Sequence, residues 1–462
     1  MATKRILFFG TILLFLTYSC KKNKITITPP PPTRDTIPKT GGGGITPPPG
    51  QPNIIFVLAD DMGYEMPTFD GGQSYNTTHL DSLAANSMVF NQCRATPLCS
   101  PSRVELLSGV YNSRNYLQLG WGFYNNKYTS YAKILQNNGY KTCVVGKWQL
   151  NAGYTPIADV GFDDFCVWDA SNLTKVGYMY KDATLYDPFG VLPPTLTKGK
   201  YSEDITSEYA MNFIDQNKDK PFFIYYSFML VHRPHQPTPL DPTYRTFDDN
   251  LDDTTYIGSM THYLDLKVGV LINKLKADGL DKNTIIVFSG DNGSEVNYHS
   301  LFKGKLVEGE KSHTTELGTH VPLFVYWPGQ ITPGINNNLV DFTDFAPTFL
   351  DMANVKSKPP GLDGVSFYPQ LFGDNGAARR WTYCYYDPFP FAVPGMPQTV
   401  TPISYAQDTA YKLYNLGNRN GLFFHFTTDP EEGHPIKDYQ LTQAEAAIKQ
   451  KLQNALSQEP LP

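Results

Sequence analysis

Asn53-Ile-Ile-Phe-Val-Leu-Ala-Asp-Asp-Met-Gly-Tyr64 is an apolar run that stops on two adjacent carboxylates. An unbroken apolar run of strand length, without polar residues at alternate positions, suits a strand buried on both faces, as in a parallel sheet covered by helices. In such sheets ligands bind beyond the carboxyl ends of the strands. Asp60 and Asp61 stand at that end. Three further apolar runs close the same way: 142–146 runs into Lys147, 221–231 into His232, and 284–289 into Gly290-Asp291-Asn292. Polar groups from distant segments are therefore expected to converge on one sheet edge.

Between these runs and a fifth at 322–327, amphipathic stretches predict helices near 79–88, 131–138, 203–217 and 256–277, with Gly139 and Gly279 placed as helix C-terminal glycines. Strands interleaved with helices define an α/β fold, a large and mostly parallel sheet sandwiched by helices. After about residue 375 short aromatic stretches at 381–386, 411–416 and 422–426 are separated by Pro, Gly and Asn. They predict a smaller C-terminal α+β subdomain with an antiparallel sheet. The expected organisation is a main α/β domain over 53–375, carrying the polar sheet edge, and a C-terminal subdomain over 376–462.

The first nineteen residues carry Lys4 and Arg5, an apolar run from Ile6 to Leu16, and then Thr17-Tyr18-Ser19 before Cys20. That order is a secretory signal, and the run is short for a membrane span. Cys20 looks like the lipidated cysteine of a bacterial lipoprotein. Residues 20–52, rich in Pro and with a four-glycine block, cannot bury a core and predict a tether. The chain is expected to be exported and held to the membrane by its lipid alone. Lys21-Lys22-Asn23-Lys24, without acidic residues, favours a periplasm-facing position. The net charge of −6 makes a poor general binder of nucleic acid. Any anionic substrate would need locally concentrated positive charge. No cysteine spacing suits zinc. Apart from Cys20 and Cys99, the cysteines at 93, 143, 166 and 384 leave disulfide pairing open.

Asp60, Asp61, Asp291 and Asn292 are hard oxygen donors, which suit calcium or magnesium rather than a thiophilic metal. Cys99-Ser-Pro-Ser-Arg103 is followed by Val-Glu-Leu-Leu, a helical continuation. Pro101 fits a first helical turn, so Cys99 lies at or just before a helix N-terminus, where free N–H groups favour anions. Arg103, four residues on, shares its face.

Cys99-Ser-Pro-Ser-Arg103 also matches C-x-P-S-R, the motif that directs conversion of its cysteine to formylglycine in type I sulfatases, members of the alkaline phosphatase superfamily. Asn53–Tyr64 resembles the family's opening metal strand, and T-T-H-L-D-S-L-A (77–84) its first helix. N-G-Y-K-T-C-V-V-G-K-W (138–148) resembles the lysine strand, V-H-R-P-H (231–235) the histidine motif, and I-I-V-F-S-G-D-N-G (285–293) the second metal motif. K-S-H-T-T-E-L-G-T-H-V-P (311–322) looks like the second lysine segment. The resemblance runs from about Asn53 to Glu432.

It implies a sulfuric ester hydrolase with one calcium ion held by Asp60, Asp61, Asp291, Asn292 and the oxidised Cys99. Hydrated formylglycine at Cys99 would be the nucleophile, passing through a covalent sulfate intermediate, and a formylglycine-generating maturation enzyme would be a partner. Arg103 would support the hydrate, Lys147 and Lys311 would clamp sulfate, and His232 would protonate the leaving alcohol. The family usually has His two residues after the lysine. Here Gln149 stands there and cannot take a proton. Gln149, His313 and His320 are the further candidates for substrate contact, and the two histidines also for the missing base. His235 is expected to be structural.

A sulfated carbohydrate is the expected substrate, with a lean to galactose or N-acetylgalactosamine. Trp121, Tyr124, Trp148, Trp168 and Trp381 are candidates to stack on sugar. A phosphonate or phosphodiester hydrolase of the same superfamily, or an inactive glycan-binding lipoprotein, are the alternatives.

Overall fold

The computed structural model describes residues 50–115, 128–150, 157–168, 179–248, 250–376, 378–387 and 401–459. The signal, Cys20 and almost all of the tether lie outside these, as do Trp121 and Tyr124.

The strand Asn53–Ala59 is fully buried and sits inside a ten-stranded sheet. It pairs in parallel with Thr284–Gly290 on one side and Phe222–Ser227 on the other. Phe222–Ser227 pairs in parallel with Lys141–Lys147, and that strand with Asp164–Trp168. The antiparallel strand Leu323–Tyr326 makes the sheet mixed. Alternation along Asn53–Ala59 divides the core. Ile55, Val57 and Ala59 face the layer holding Leu80 and Leu83, Ala210 and Phe213, and Leu264 and Val268. Ile54, Phe56 and Leu58 face Val104, Leu107, Tyr131, Leu135, Phe345 and Phe349. Those residues lie on the helices Thr78–Ala84, Ser202–Asn217 and Ile257–Ala277 on one side, and Cys99–Ser108, Tyr131–Asn137 and Phe345–Met352 on the other. A sheet covered on both faces explains why its strands are continuously apolar.

Two expectations shift. The run at 221–231 is strand only to Ser227. Its remainder is a buried loop whose backbone is laced to the first strand, with Asp60 N donating to Leu230 O at 2.9 Å and Val231 N to Asp60 O at 2.7 Å. The helix expected over 79–88 ends at Ala84, and Ser87–Phe90 becomes a strand of the main sheet. Met88-Val89-Phe90 is β-prone, and pairing with Leu323–Tyr326 overrides the helical spacing.

At the C-terminal end, Thr382–Tyr386, Ile403–Gln407, Tyr411–Leu416 and Phe423–His425 form a four-stranded antiparallel sheet. The helix Gln443–Gln458, opened by a Thr442/Glu445 capping box, contributes Leu452, Ala455 and Leu456 to the core beneath it. The sequence reading had neither this helix nor the strand Ile403–Gln407. Cys93, Cys143, Cys166 and Cys384 are buried free thiols, so none of them pairs. Among the described residues no helix is long and apolar enough to cross a membrane.

Candidate active site

Cys99 begins the helix Cys99–Ser108 after Leu98, whose extended backbone ends the preceding loop. Ser102 Oγ accepts from Thr96 N at 3.1 Å and fixes that entry. The thiol is 7% exposed. Burial pushes its pKa up, against the pull of Lys147 and Lys311. Its Sγ donates to Gln149 Oε1 at 3.6 Å.

Two strand ends bring carboxylates beside it. The ligand atoms of Asp60, Cys99 and Asp291 all lie within 4.8 Å of one another. Asn292 Nδ2 donates to Asp61 Oδ1 at 2.8 Å, and Asp61 N to Asp291 Oδ1 at 3.1 Å. Cations close the cluster. Arg103 binds Asp291 Oδ2 through Nε and Nη2 at 3.1 and 2.8 Å and donates to Lys147 O and to Ser227 Oγ. Lys147 Nζ lies 2.5 Å from Asp60 Oδ2, and Lys311 Nζ lies 2.6 Å from Asp61 Oδ2.

Gly146 makes the placement of Lys147 possible. It has φ +92°, and a Cβ there would fall 1.7 Å from Ser227 O. Only glycine allows the two strands so close an approach at that point.

Electrostatics follow from this crowding. Burial favours the neutral form of Asp61, but the Lys311 and Lys147 ammoniums outweigh it and hold the carboxyl well below its ordinary range. Asp291 goes the other way, pushed up to about 7 by burial and by Asp60 despite Arg103. His232 Nε2 sits 3.9 Å from Asp61 Oδ2, and its Nδ1 bonds Arg233 O at 2.5 Å. Burial, then Lys147 and Lys311, lower its pKa well below the ordinary value, so the substrate-free ring is neutral.

The residues present fit a hard divalent cation. Oδ1 of Asp60 and Oδ1 of Asn292 are buried and accept no hydrogen bond, an arrangement that an oxygen-seeking ion would satisfy.

Not every candidate is in the cluster. His320 is turned away. Its ring stacks on Tyr64 at 3.9 Å, and Nδ1 bonds Glu316 at 2.7 Å. The short strand His320–Val321 pairs with Cys93–Arg94, and that pairing sets the direction of the ring. His313 is exposed, with Nδ1 3.3 Å from Lys311 O. Trp148 packs edge-on against Phe162 and Trp168 is core, while Trp381 packs against the C-terminal core, so none of the three is a free stacking platform. His235 is structural as expected, its Nε2 bonded to Tyr298 OH at 2.6 Å.

The sequence reading missed several supports. Ser227 closes an apolar strand on the same edge, and that polar ending was a readable sign. Lys412, fully buried, donates to Thr314 O at 2.5 Å and to Glu432 at 2.6 Å, tying the C-terminal sheet to the loop after Lys311. Glu203 accepts from Met229 N at 2.7 Å and Leu230 N at 3.2 Å, holding the loop that leads to His232.

Burial pushes the Glu203 carboxyl up to about 7, against those backbone donors. A raised folded pKa means that stability is complete below the unfolded value of 4.5 and is lost as pH rises through about 7. Glu203→Gln removes that loss. Urea unfolding of the two proteins should show the variant gaining on wild type between pH 4.5 and 8, by up to about 3 kcal/mol. An equal gap at both pH values would show that folding does not raise the Glu203 pKa.

The sheet gathers carboxylates, lysines and a helix-terminal cysteine at one edge, the arrangement expected from the resemblance to the alkaline phosphatase superfamily. The chain belongs to the sulfatase family, whose members are sulfuric ester hydrolases: the Sulfatase family profile matches residues 52–355, and that of the N-sulphoglucosamine sulphohydrolase C-terminal region matches 310–459. Arylsulfatase A of Bos taurus is 30% identical over 380 residues, covering 75% of this chain and 72% of that protein. N-acetylgalactosamine-6-sulfatase of Mus musculus is 28% identical over 360 residues, covering 70% of this chain, and the chain spans 66% of that protein's length. A solved structure in complex with its substrate D-glucosamine-2-N,6-O-disulfate superposes with a TM-score of 0.72 at 22% identity, covering 88% of this chain and 98% of that one.

Proposed function

We propose that the protein hydrolyses a sulfate ester on a carbohydrate, at the Cys99 centre. The observation that carries this is Lys147 and Lys311 flanking Cys99 and the four oxygen ligands in a buried site. The similarity to N-acetylgalactosamine-6-sulfatase favours a sugar, with galactose or N-acetylgalactosamine first. Asp60, Asp61, Asp291 and Asn292, with Cys99, would hold calcium, which offsets charge on sulfate oxygens when bound. Formylglycine at Cys99 would supply, as its hydrate, the oxygen that attacks sulfur.

The chain's own groups do the rest. Lys147 and Lys311 hold sulfate oxygens, whose negative charge spreads as the ester S–O bond breaks. Arg103 fixes Asp291 and the Lys147 backbone. The sulfate brings negative charge between the lysines and removes their push on His232, which can then carry the proton that the leaving alkoxide takes. Left neutral, His232 is the imidazole at the cluster that can accept a proton back, a role Gln149 cannot fill. Gln149 orients the group at Cys99 by hydrogen bonding. We extend the proposal to export and a lipid on Cys20, resting on residues 1–20.

Turnover of sulfate and phosphate esters of one sugar alcohol tests the reading, and a preference for phosphate would replace it with a phosphoester hydrolase. His232→Ala should cost ~10²–10⁴-fold in kcat/KM on a sulfated sugar and far less on a nitrophenyl sulfate, whose leaving group needs no proton. Equal losses on both would make His232 a sulfate binder instead.

A further inference from the structure

A cavity of about 440 Å³, apart from the Cys99 cluster, is lined by Tyr64, Asp70, Phe302, Glu316, His320 and Asn337 among others. Its size falls within the range of small-molecule pockets. It lies on the two loops that carry Asp61 and Lys311, which are joined by Tyr64 N donating to His320 O at 3.3 Å. Tyr64, Glu316 and His320 are residues of those same motif segments that the sulfate-handling cluster leaves unused.

The lining is built rather than incidental. Glu316 is 8% exposed, and its Oε1 takes Arg94 Nη1 at 2.9 Å and His320 Nδ1 at 2.7 Å. Its Oε2 has no donor, and neither has Oδ2 of Asp70. Buried acceptors of this kind are costly unless a ligand supplies the hydrogen. Asn91 and Asn337, bonded to each other at 2.9 Å, offer further amide groups, and Tyr64 and Phe302, edge to face at 5.0 Å, supply an apolar wall. Burial pushes Asp70 up to about 8 and, with Arg94, His320 down to about 4. Perturbed titratable groups gathered in one cavity mark binding sites more often than chance.

The charge pattern selects the ligand. Two carboxyl groups face the space, and the lining cation Lys303 has its ammonium 4.5 Å over the Phe302 ring. A sulfate or carboxylate would be set against the unpartnered oxygen of the buried Glu316 carboxylate, which repels it. A ligand with several hydroxyl donors and an apolar face meets what each wall lacks.

We propose that this cavity binds an uncharged sugar unit, an unsulfated part of the glycan on which the enzyme acts. The inference rests on the carbohydrate reading above, but its test does not depend on turnover. Galactose, glucose, N-acetylgalactosamine and N-acetylglucosamine, all unsulfated, are titrated into the full protein by ligand-observed NMR and calorimetry. At least one should bind saturably, with Kd on the order of 1 mM. Asp70→Ala and Ile335→Trp should each weaken that binding about tenfold, while kcat/KM on an aryl sulfate stays within about twofold. Ile335 lines the cavity at 67% exposed, so the tryptophan blocks the space without disturbing the core. Absence of saturable binding by all four sugars overturns the proposal, as does binding that Ile335→Trp leaves intact or that inorganic sulfate displaces. Sugar binding by a protein inactive on sulfate esters would retain this cavity and remove the sulfatase reading. Turnover without sugar binding would do the reverse.

Discussion

Cys99→Ala should remove turnover of every sulfate ester while leaving the unfolding transition near that of wild type. The side chain is small, and the helix Cys99–Ser108 is held by Arg103, by Ser102 and by packing of Val104 and Leu107 rather than by the thiol. Losing the nucleophile of a covalent mechanism removes the route itself, so the loss should reach several orders of magnitude, as for nucleophile deletions in hydrolases, about 10⁶-fold. The companion measurement is mass spectrometry of the peptide spanning residues 95–103, where active protein should carry an aldehyde in place of the thiol. Full activity from protein with an intact thiol would end the formylglycine mechanism.

Removal of divalent metal should have the second largest effect. Without the ion, Asp60, Asp61 and Asp291 crowd at one point, and burial with Asp60 raises Asp291 to about 7. Chelated protein should lose turnover and recover it with calcium. Because Asp291 must give up its proton to bind, metal affinity should rise with pH up to and through about 7. Asp291→Ala should weaken calcium binding in direct titration and leave Arg103 without its principal partner. A metal-free preparation with undiminished activity would exclude the site. Turnover supported by a transition metal and not by calcium would exclude calcium.

How much of this was legible differs by level. The strand ends were, because a doubly covered parallel sheet writes itself as apolar runs, and the first polar residue after each run must stand at the ligand edge. Asp60, Lys147, Asp291 and Asn292 were found this way. His232 was found for a partly wrong reason: the strand stops at Ser227, and a loop held by Glu203 carries the chain on. What stayed hidden depends on contacts between distant segments. The ring of His320 is directed by pairing with Cys93–Arg94, across more than two hundred residues, and no local spacing encodes that. Lys412 reads as an ordinary strand residue, yet it is buried against Glu432 and the loop after Lys311. The C-terminal helix has an explicit capping box, so that omission was a misreading rather than missing information.

The burial of Cys99 also sets an order of events. Every residue of its helix is buried, and the thiol closes against Gln149 and the carboxylates of Asp60 and Asp291, from distant parts of the chain. An enzyme that oxidises this cysteine must hold several residues on either side of it, and the folded protein offers no grip there. If Cys99 is converted to formylglycine as proposed, the modification would have to precede closure of the sheet, while the segment is still unfolded chain. Folding and maturation become competitors in time. On that proposal a chain that folds first would stay unmodified, however stable it is, and rapid folding would lower the yield of working enzyme rather than raise it.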